Sequence, residues 1–373
     1  MKKTDKLLIA LLLCAAVFCV VKFVPNKQQV ALKMFENLIK IHVREGQSDL
    51  VQEYLSVFRL LHHEMGNPLK SPQPEKESAV QDLSQTDPDV AALQQQARKK
   101  AGTTKAAGKV VERTIENMTQ QVSSGNVKVQ NRTDKSIDID KILKEGAKLK
   151  ISDKSKPSIL VYHTHTHECF VQLDSGTYMK GETTQSADSA QNVVRVGNAI
   201  VEQLERAGFS VIHDTAIHDD DYNNAYANSG KTIDGYLKKY PSIDVTIDIH
   251  RDSVGVEGDS DARTSLVKKI AGKKAAQVMI VTGCEENAIE DFPDWYDNLH
   301  FALGLQKQFS EDFPGLARPL YFADRRYNMY KTKNSVLIEV GSDGNTLEQA
   351  VYSGKLVGAT LANYLAPYAQ SNS

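Results

Sequence analysis

The sequence predicts an α/β domain with a mainly parallel sheet covered by helices on both faces. From about residue 155 onward, short apolar runs alternate with helix-period segments, the pattern of successive β-α units. Helix stops and strand starts are punctuated by Gly208 and Pro241. Three apolar runs lead into imidazoles or carboxylates, and open α/β sheets collect ligands at the carboxyl ends of their strands.

The elements follow in order. A strand at 158–162 runs into His163-Thr164-His165-Thr166-His167-Glu168. A helix at 191–207 turns Val194, Val196, Ile200, Val201 and Leu204 inward and stops at Gly208. A strand at 209–213 follows, then a helix at 232–239. The strand at 243–249 runs into His250-Arg251-Asp252, and another is expected at 276–282. A helix at 297–309, a strand at 335–340 carrying Glu339 and a closing helix at 347–366 complete the domain.

The chain ahead of the domain reads differently. Lys2, Lys3 and Lys6 form a short tail at 1–6, and 7–24 is an apolar run interrupted by Lys22. No small-x-small cleavage site follows, so the expectation is an uncleaved single-pass anchor with the rest of the chain outside the cytoplasm. Residues 25–66 have helical periodicity and form a stalk. Residues 67–154, rich in Pro, Gln, Ser and Lys at first, read as linker and lead-in. The α/β domain is expected at 155–368, with a tail at 369–373.

Lys+Arg 45 against Asp+Glu 47 leaves no concentrated basic face, which argues against nucleic acid. Four cysteines are too few for a disulfide scaffold and show no metal spacing. Cys169 is a candidate nucleophile or, with better odds, a small buried side chain.

The chemistry concentrates in few residues. His165-x-x-Glu168 supplies two ligands from one turn, and His250 supplies a third from a separate strand. That is the His₂Glu set of catalytic zinc, which leaves a position open for water. His163 shares a strand face with His165, so one ligates while the other orients it or binds substrate. Glu339, in an apolar strand, is either the general base or the partner of Arg318 or Arg326. Arg251 and Asp252 either support the site and bind anionic or amide groups, or form a local ion pair. His213 and His218, near Asp219-Asp220-Asp221, are either a second metal site or part of a solvated acidic loop, with the loop preferred. His167 is expected to face solvent.

From about 158 to 366 the chain resembles the stage II sporulation protein P family. The resemblance rests on His163-Thr164-His165 with Glu168, Tyr240-Pro241-Ser242-Ile243, and Asp248-Ile249-His250-Arg251-Asp252. It extends to Phe313-Pro314-Gly315-Leu316 with Arg318-Pro319, to Arg326-Tyr327-Asn328, to Ile338-Glu339-Val340-Gly341-Ser342 and to Asn345-Thr346-Leu347-Glu348. One departure is Cys169, where the family pattern has Ser.

The resemblance implies a membrane-anchored, zinc-dependent N-acetylmuramoyl-L-alanine amidase that also cleaves peptide cross-links, with a zinc amidase-like fold. It implies His163 or His165, Glu168 and His250 at the metal and Glu339 as the catalytic carboxylate. Arg251 is then expected to stabilise the oxyanion, and Asp252, Arg318, Arg326 and Asn328 to contact substrate. The implied role is septal wall thinning and engulfment. The implied partners are stage II sporulation protein D, a lytic transglycosylase, and stage II sporulation protein M. Two other readings remain at this point: an anchored scaffold without activity, and a cysteine hydrolase built on Cys169.

Overall fold

The computed structural model describes residues 82–151, 153–287 and 289–369. The anchor expected at 7–24, the stalk at 25–66 and the first part of the linker lie outside the described residues. Among the described residues, no helix is long and apolar enough to cross a membrane.

Helix α1 (Pro88–Ala101) begins with a proline, which needs no hydrogen-bond partner there. Asp87 just ahead of it does not cap the helix; its carboxylate is held by Arg195 and Lys355. Strands β1 (Ala106–Arg113), β2 (Gln121–Ser124) and β3 (Val127–Asn131) follow, and Gly125, at φ 55°, turns β2 into β3. Helix α2 (Ile139–Glu145) is capped by Asp138, whose side chain accepts from the Lys141 amide.

Next come β4 (Pro157–Tyr162), β5 (Thr177–Met179), α3 (Val193–Arg206), β6 (Ser210–His213) and α4 (Ala225–Lys239). Strand β7 (Val245–Asp252) continues through β8 (Gly255–Val256), β9 (Asp259–Ile270), β10 (Lys273–Ala276) and β11 (Val278–Gly283) without an intervening helix. The chain ends with α5 (Trp295–Asp312), β12 (Leu320–Ala323), β13 (Asn334–Ser342) and α6 (Leu347–Leu365). A reciprocal capping box between Thr346 and Gln349 starts α6.

The main sheet has the order β2-β3-β12-β11-β13-β7-β4-β6. Strands β13, β7, β4 and β6 run parallel, as expected. The direction then reverses, because β11 is antiparallel to β13, with β12 and β3 following β11. The reason is the connection. A parallel neighbour needs a long crossover, and the chain reaches β11 directly from the β9–β10 hairpin. That hairpin belongs to a second sheet, β10-β9-β1-β5, with β8 beside β9.

The domain boundary expected at 155 falls inside one compact unit, Glu77–Ser373. The lead-in is not a linker from residue 82 on. β1 pairs with β9, β3 pairs with β12, and Val90, Val127, Val129, Ile139 and Ile142 are buried in the main core. β1 and β2 are largely exposed and β3 is only five residues long, so their few apolar positions left little signal in a polar stretch. Ala369, assigned to the tail, pairs with Ile151.

Both faces of the sheet are used, and they differ. Ile159 and Val161 pack with α3, α5 and α6, whereas Leu160 and Tyr162 pack against Ile233 of α4. Further along that second face, Met279, Val281 and Leu337 pack with Tyr321 and Tyr327. They border a cavity of about 330 Å³, and Glu339 opens onto it.

Candidate active site

The turn after β4 is built by its threonines and held by distant carboxylates. Asp248 of β7 accepts from the Thr164 amide (2.9 Å) and hydroxyl (2.6 Å). The Thr166 hydroxyl donates to His163 O at 2.8 Å, and the Glu168 amide donates to His165 O at 3.2 Å. Asp219 accepts from the His167 amide at 3.2 Å and lies 3.0 Å from His167 Nδ1. The alternating His-Thr pattern therefore folds into a rigid turn rather than a continued strand.

His250 is the centre of the arrangement. Its Nδ1 lies 3.5 Å from Glu168 Oε2 and its Nε2 lies 3.0 Å from Asp248 Oδ1. The Arg251 amide donates to the same Glu168 oxygen at 2.9 Å. Burial works against the His250 cation, but the Asp248 and Glu168 carboxylates outweigh it and raise the imidazole well above its ordinary value. Burial likewise opposes the Glu168 anion, and its bond and charge partners His250 and Arg251 still bring it below the usual carboxylate value. Asp248 was not singled out from sequence. It stands two residues ahead of His250 on the same strand face, and that spacing was the available signal.

His165 meets His250 edge-on, with ring centroids 5.4 Å apart, and stacks on Tyr222 at 4.4 Å. Its Nδ1 is buried without a hydrogen-bond partner. Burial and the neighbouring His250 lower its pKa. His163 is differently placed. Its Nδ1 faces Ile249 O at 3.1 Å and its Nε2 faces His213 Nε2 at 2.9 Å. Burial, then His213, push it well below its ordinary value.

The donor chemistry of His165, Glu168 and His250 fits zinc, and the orphaned His165 nitrogen is the kind of atom a cation satisfies. Among the described residues, however, no group of three or more His, Cys, Asp or Glu side chains is gathered closely enough to hold a metal ion.

Glu339 is not at a strand end. It lies inside β13, directly opposite His250 of β7 and Met279 of β11 in the sheet register. A carboxylate can sit there because this face borders the cavity. Burial, reinforced by Asp252 and Glu168 and opposed by His250 and Arg318, pushes its pKa up to about 8, and its Oε2 has no hydrogen-bond partner. Tyr327 lines the same cavity, stacked on Tyr226 at 5.0 Å, and holds a left-handed backbone at φ 46°. That conformation is unusual for a tyrosine and is often found where function fixes the backbone.

Several expected roles change. The Arg251 guanidinium is committed to backbone carbonyls: Nε to Cys169 (3.1 Å), Nη1 to Asp252 (3.2 Å) and Nη2 to Thr184 (2.8 Å). Every nitrogen of the group thus holds a backbone carbonyl, and it braces the turn. Asn328 is buried and donates to Tyr226 O and Ser229 Oγ, so it supports α4 rather than meeting substrate. Arg326 donates to Glu290 O and lies over the Tyr330 ring, outside the cavity lining. Arg318 and Asp252 do line the cavity, joined by an ion pair of 2.8 Å, and Arg318 does not pair with Glu339.

The Cys169 thiol is buried, donates to Thr183 O at 3.3 Å and is pushed by burial up to about 11. Burial, this hydrogen bond and the raised pKa all argue against a nucleophilic role. The preferred solvated loop at 213–221 is corrected in part, since Asp220 and Asp221 are exposed but its other acids and its histidines are not. Asp214, His218 and Asp219 are buried, His218 Nε2 lies 3.0 Å from Asp214 Oδ2, and the His218 amide reaches Thr166. The loop clamps the turn after β4, and His167 is drawn against it by Asp219.

The model of one protein family, described as stage II sporulation protein P, matches residues 50–362. So wide a match puts the chain among the stage II sporulation proteins. It belongs to the stage II sporulation protein P family. No curated protein matches the chain. Solved structures similar to it include the CwlD amidase from Clostridioides difficile in complex with the GerS lipoprotein. That likeness has 13% identity and a TM-score of 0.36, over 56% of this chain and 99% of that one. An N-acetylmuramyl-L-alanine amidase from Mycobacterium abscessus shows 13% identity and a TM-score of 0.33, over 56% and 99%. The catalytic domain of the amidase CwlV from Bacillus (Paenibacillus) polymyxa var. colistinus shows 13% and 0.31, over 56% and 98%.

Proposed function

We propose that the protein is a zinc-dependent N-acetylmuramoyl-L-alanine amidase that also cleaves peptide cross-links. The reading is supported above all by the cross-strand placement of Glu339 opposite His250, itself within 3.5 Å of Glu168. His165, Glu168 and His250 would hold the metal. Bound there, zinc supplies a Lewis acid for the amide carbonyl and a positive charge that lowers the Glu339 pKa.

The chain's own residues supply the rest. Glu339 takes a proton from the water that attacks the lactyl carbonyl of muramic acid. The carbon–nitrogen bond to L-alanine then breaks, and Glu339 returns the proton to the leaving amine. Asp248 orients His250, as carboxylates behind ligating imidazoles do. His163 and His213 stiffen the turn that carries His165.

By resemblance, the protein acts in septal wall thinning and engulfment, with stage II sporulation proteins D and M as partners. A single-pass anchor at 7–24 would place the catalytic unit outside the cell membrane, on the side of its peptidoglycan substrate.

His250→Ala tests the assignment. It should abolish release of stem peptide from purified wall and lower zinc content while the fold is retained. Full activity without bound zinc would sink the metal reading. A folded wild-type protein that binds wall but never cuts it would favour the inactive scaffold.

A further inference from the structure

We propose that the Tyr327 phenol is a further catalytic group, which donates a hydrogen bond to the oxygen of the scissile carbonyl as charge develops there. The role rests on the amidase reading and gives that reading an oxyanion donor. Arg251, expected in this place, instead has each of its nitrogens on a backbone carbonyl. Three contacts set the Tyr327 ring over the strands that carry Glu339 and His250. First, it packs on the cluster of Met279, Val281 and Leu337. Met279 is the register partner of Glu339, and Leu337 stands two residues ahead of Glu339 on the same face of β13. Second, it stacks on Tyr226 at 5.0 Å, and the Tyr226 ring lies parallel to His250 within 14°, centroids 6.5 Å apart. Third, it lines one cavity of about 330 Å³ together with Glu339, with Ile115 and Met118 of the segment expected to be linker forming part of the wall.

The hydroxyl is open to a ligand. Tyr327 is half-buried, not enclosed, and among the described residues its hydroxyl has no hydrogen-bond partner. Burial, helped by Glu339 and opposed by Arg325 and His250, raises the phenol above its ordinary value, so it keeps its proton at neutral pH and stays a donor. The chain also holds this residue against its own preference. Its φ of 46° is left-handed, a conformation a tyrosine keeps only where its surroundings enforce it. The neighbours enforce it from both sides. Arg326 donates to Glu290 O at 3.0 Å, and Asn328 donates to Tyr226 O at 3.0 Å and to Ser229 Oγ at 2.9 Å. The outer residues of Arg326-Tyr327-Asn328 are anchors, and the middle one is presented to the cavity.

The chemistry asks only for a hydrogen bond. Water adds to the carbonyl carbon while Glu339 takes its proton. The carbonyl electron pair moves onto oxygen, where the Tyr327 O–H meets it, and returns as the carbon–nitrogen bond breaks. The phenol keeps its proton throughout, so Glu339 remains the one group that carries a proton to the leaving amine. A donor whose bond strengthens as charge develops stabilises the transition state more than the bound substrate, and so acts on kcat.

Tyr327→Phe removes the hydroxyl and keeps the ring that stacks on Tyr226. The test uses the zinc-loaded full chain and two probes. One is the disaccharide N-acetylglucosaminyl-N-acetylmuramoyl-L-alanyl-D-glutamate. The other is its phosphinate analogue, in which a tetrahedral phosphorus stands in place of the scissile carbonyl carbon. The variant should lose about 10²-fold in kcat, with KM within about twofold and zinc content unchanged, the loss typical of one missing oxyanion donor. It should also bind the phosphinate about 10²-fold more weakly, because that probe carries the oxygen the phenol would meet. A merely structural hydroxyl would move KM or the melting temperature and leave the ratio of phosphinate to substrate affinity unchanged. Wild-type kcat and wild-type phosphinate binding in the variant overturn the inference and leave the amidase reading standing, and so does a loss confined to KM. No cleavage of the disaccharide by the wild type overturns both.

Discussion

Glu339→Gln should make the metal-free protein more stable at alkaline pH and nearly inactive when loaded. The unfolded chain ionises this carboxyl near 4.5, whereas in the folded protein burial holds the proton up to about 8. Between those values the folded state binds a proton that the unfolded state has released, so wild-type stability falls as pH rises through the interval. The gap corresponds to about 5 kcal/mol. Glu339 borders the cavity, where water screens part of the charge, so the variant should gain about 2–5 kcal/mol at pH 8 and above. Near pH 4 both states of the wild type carry the proton, and the two proteins should be about equally stable. Urea unfolding with chelator at pH 4, 6 and 8.5 reads this directly. Wall hydrolysis by the zinc-loaded variant should fall by about 10² or more, the loss typical of a missing general base. A stability difference that does not change with pH would refute the buried, uncharged Glu339. Zinc lost from the variant would make Glu339 a ligand and leave Glu168 in need of another role.

Three further outcomes are expected. A fragment of 155–373 should show no cooperative unfolding, whereas 77–373 should, as followed by circular dichroism. The shorter one lacks Val90, Val127, Val129, Ile139 and Ile142, worth about 1.5–3 kcal/mol each against a total stability of about 5–15 kcal/mol. His213 is pushed by burial from 6.5 down to about 4, so its share of stability is full above 6.5 and is lost as pH falls toward 4. His213→Leu should flatten the pH dependence of urea unfolding across that window, and an unchanged slope would refute the assignment. Protease added outside intact protoplasts should digest the domain beyond residue 155, and protection until lysis would reverse the proposed orientation.

The sequence by itself determined the α/β class and the central strands, and it drew attention to part of the candidate site. Those strands were legible because β4, β7 and β13 are apolar runs bounded by turn residues, and their local chemistry does not depend on neighbours. His165, Glu168, His250 and Glu339 stood out because polar groups adjoining such runs are costly without a use.

Only the tertiary structure separated residues that look alike in sequence. Arg251 and Arg318 are both buried arginines near acidic groups, yet one spends every donor nitrogen on carbonyls and the other keeps an edge unmet. Tyr327 lies between the two residues of its motif expected to meet substrate, and it alone of the three lines the cavity. The lead-in at 106–131 gave no strong period because β1 and β2 are largely exposed and β3 is short, and β1 and β3 are held by pairing with β9 and β12. Those partners lie more than 150 residues away in sequence. Pairing of that kind is a property of register and crossover. No local pattern encodes it, which is why the reversed β11 and the wall at Ile115 and Met118 appear only once the chain is folded.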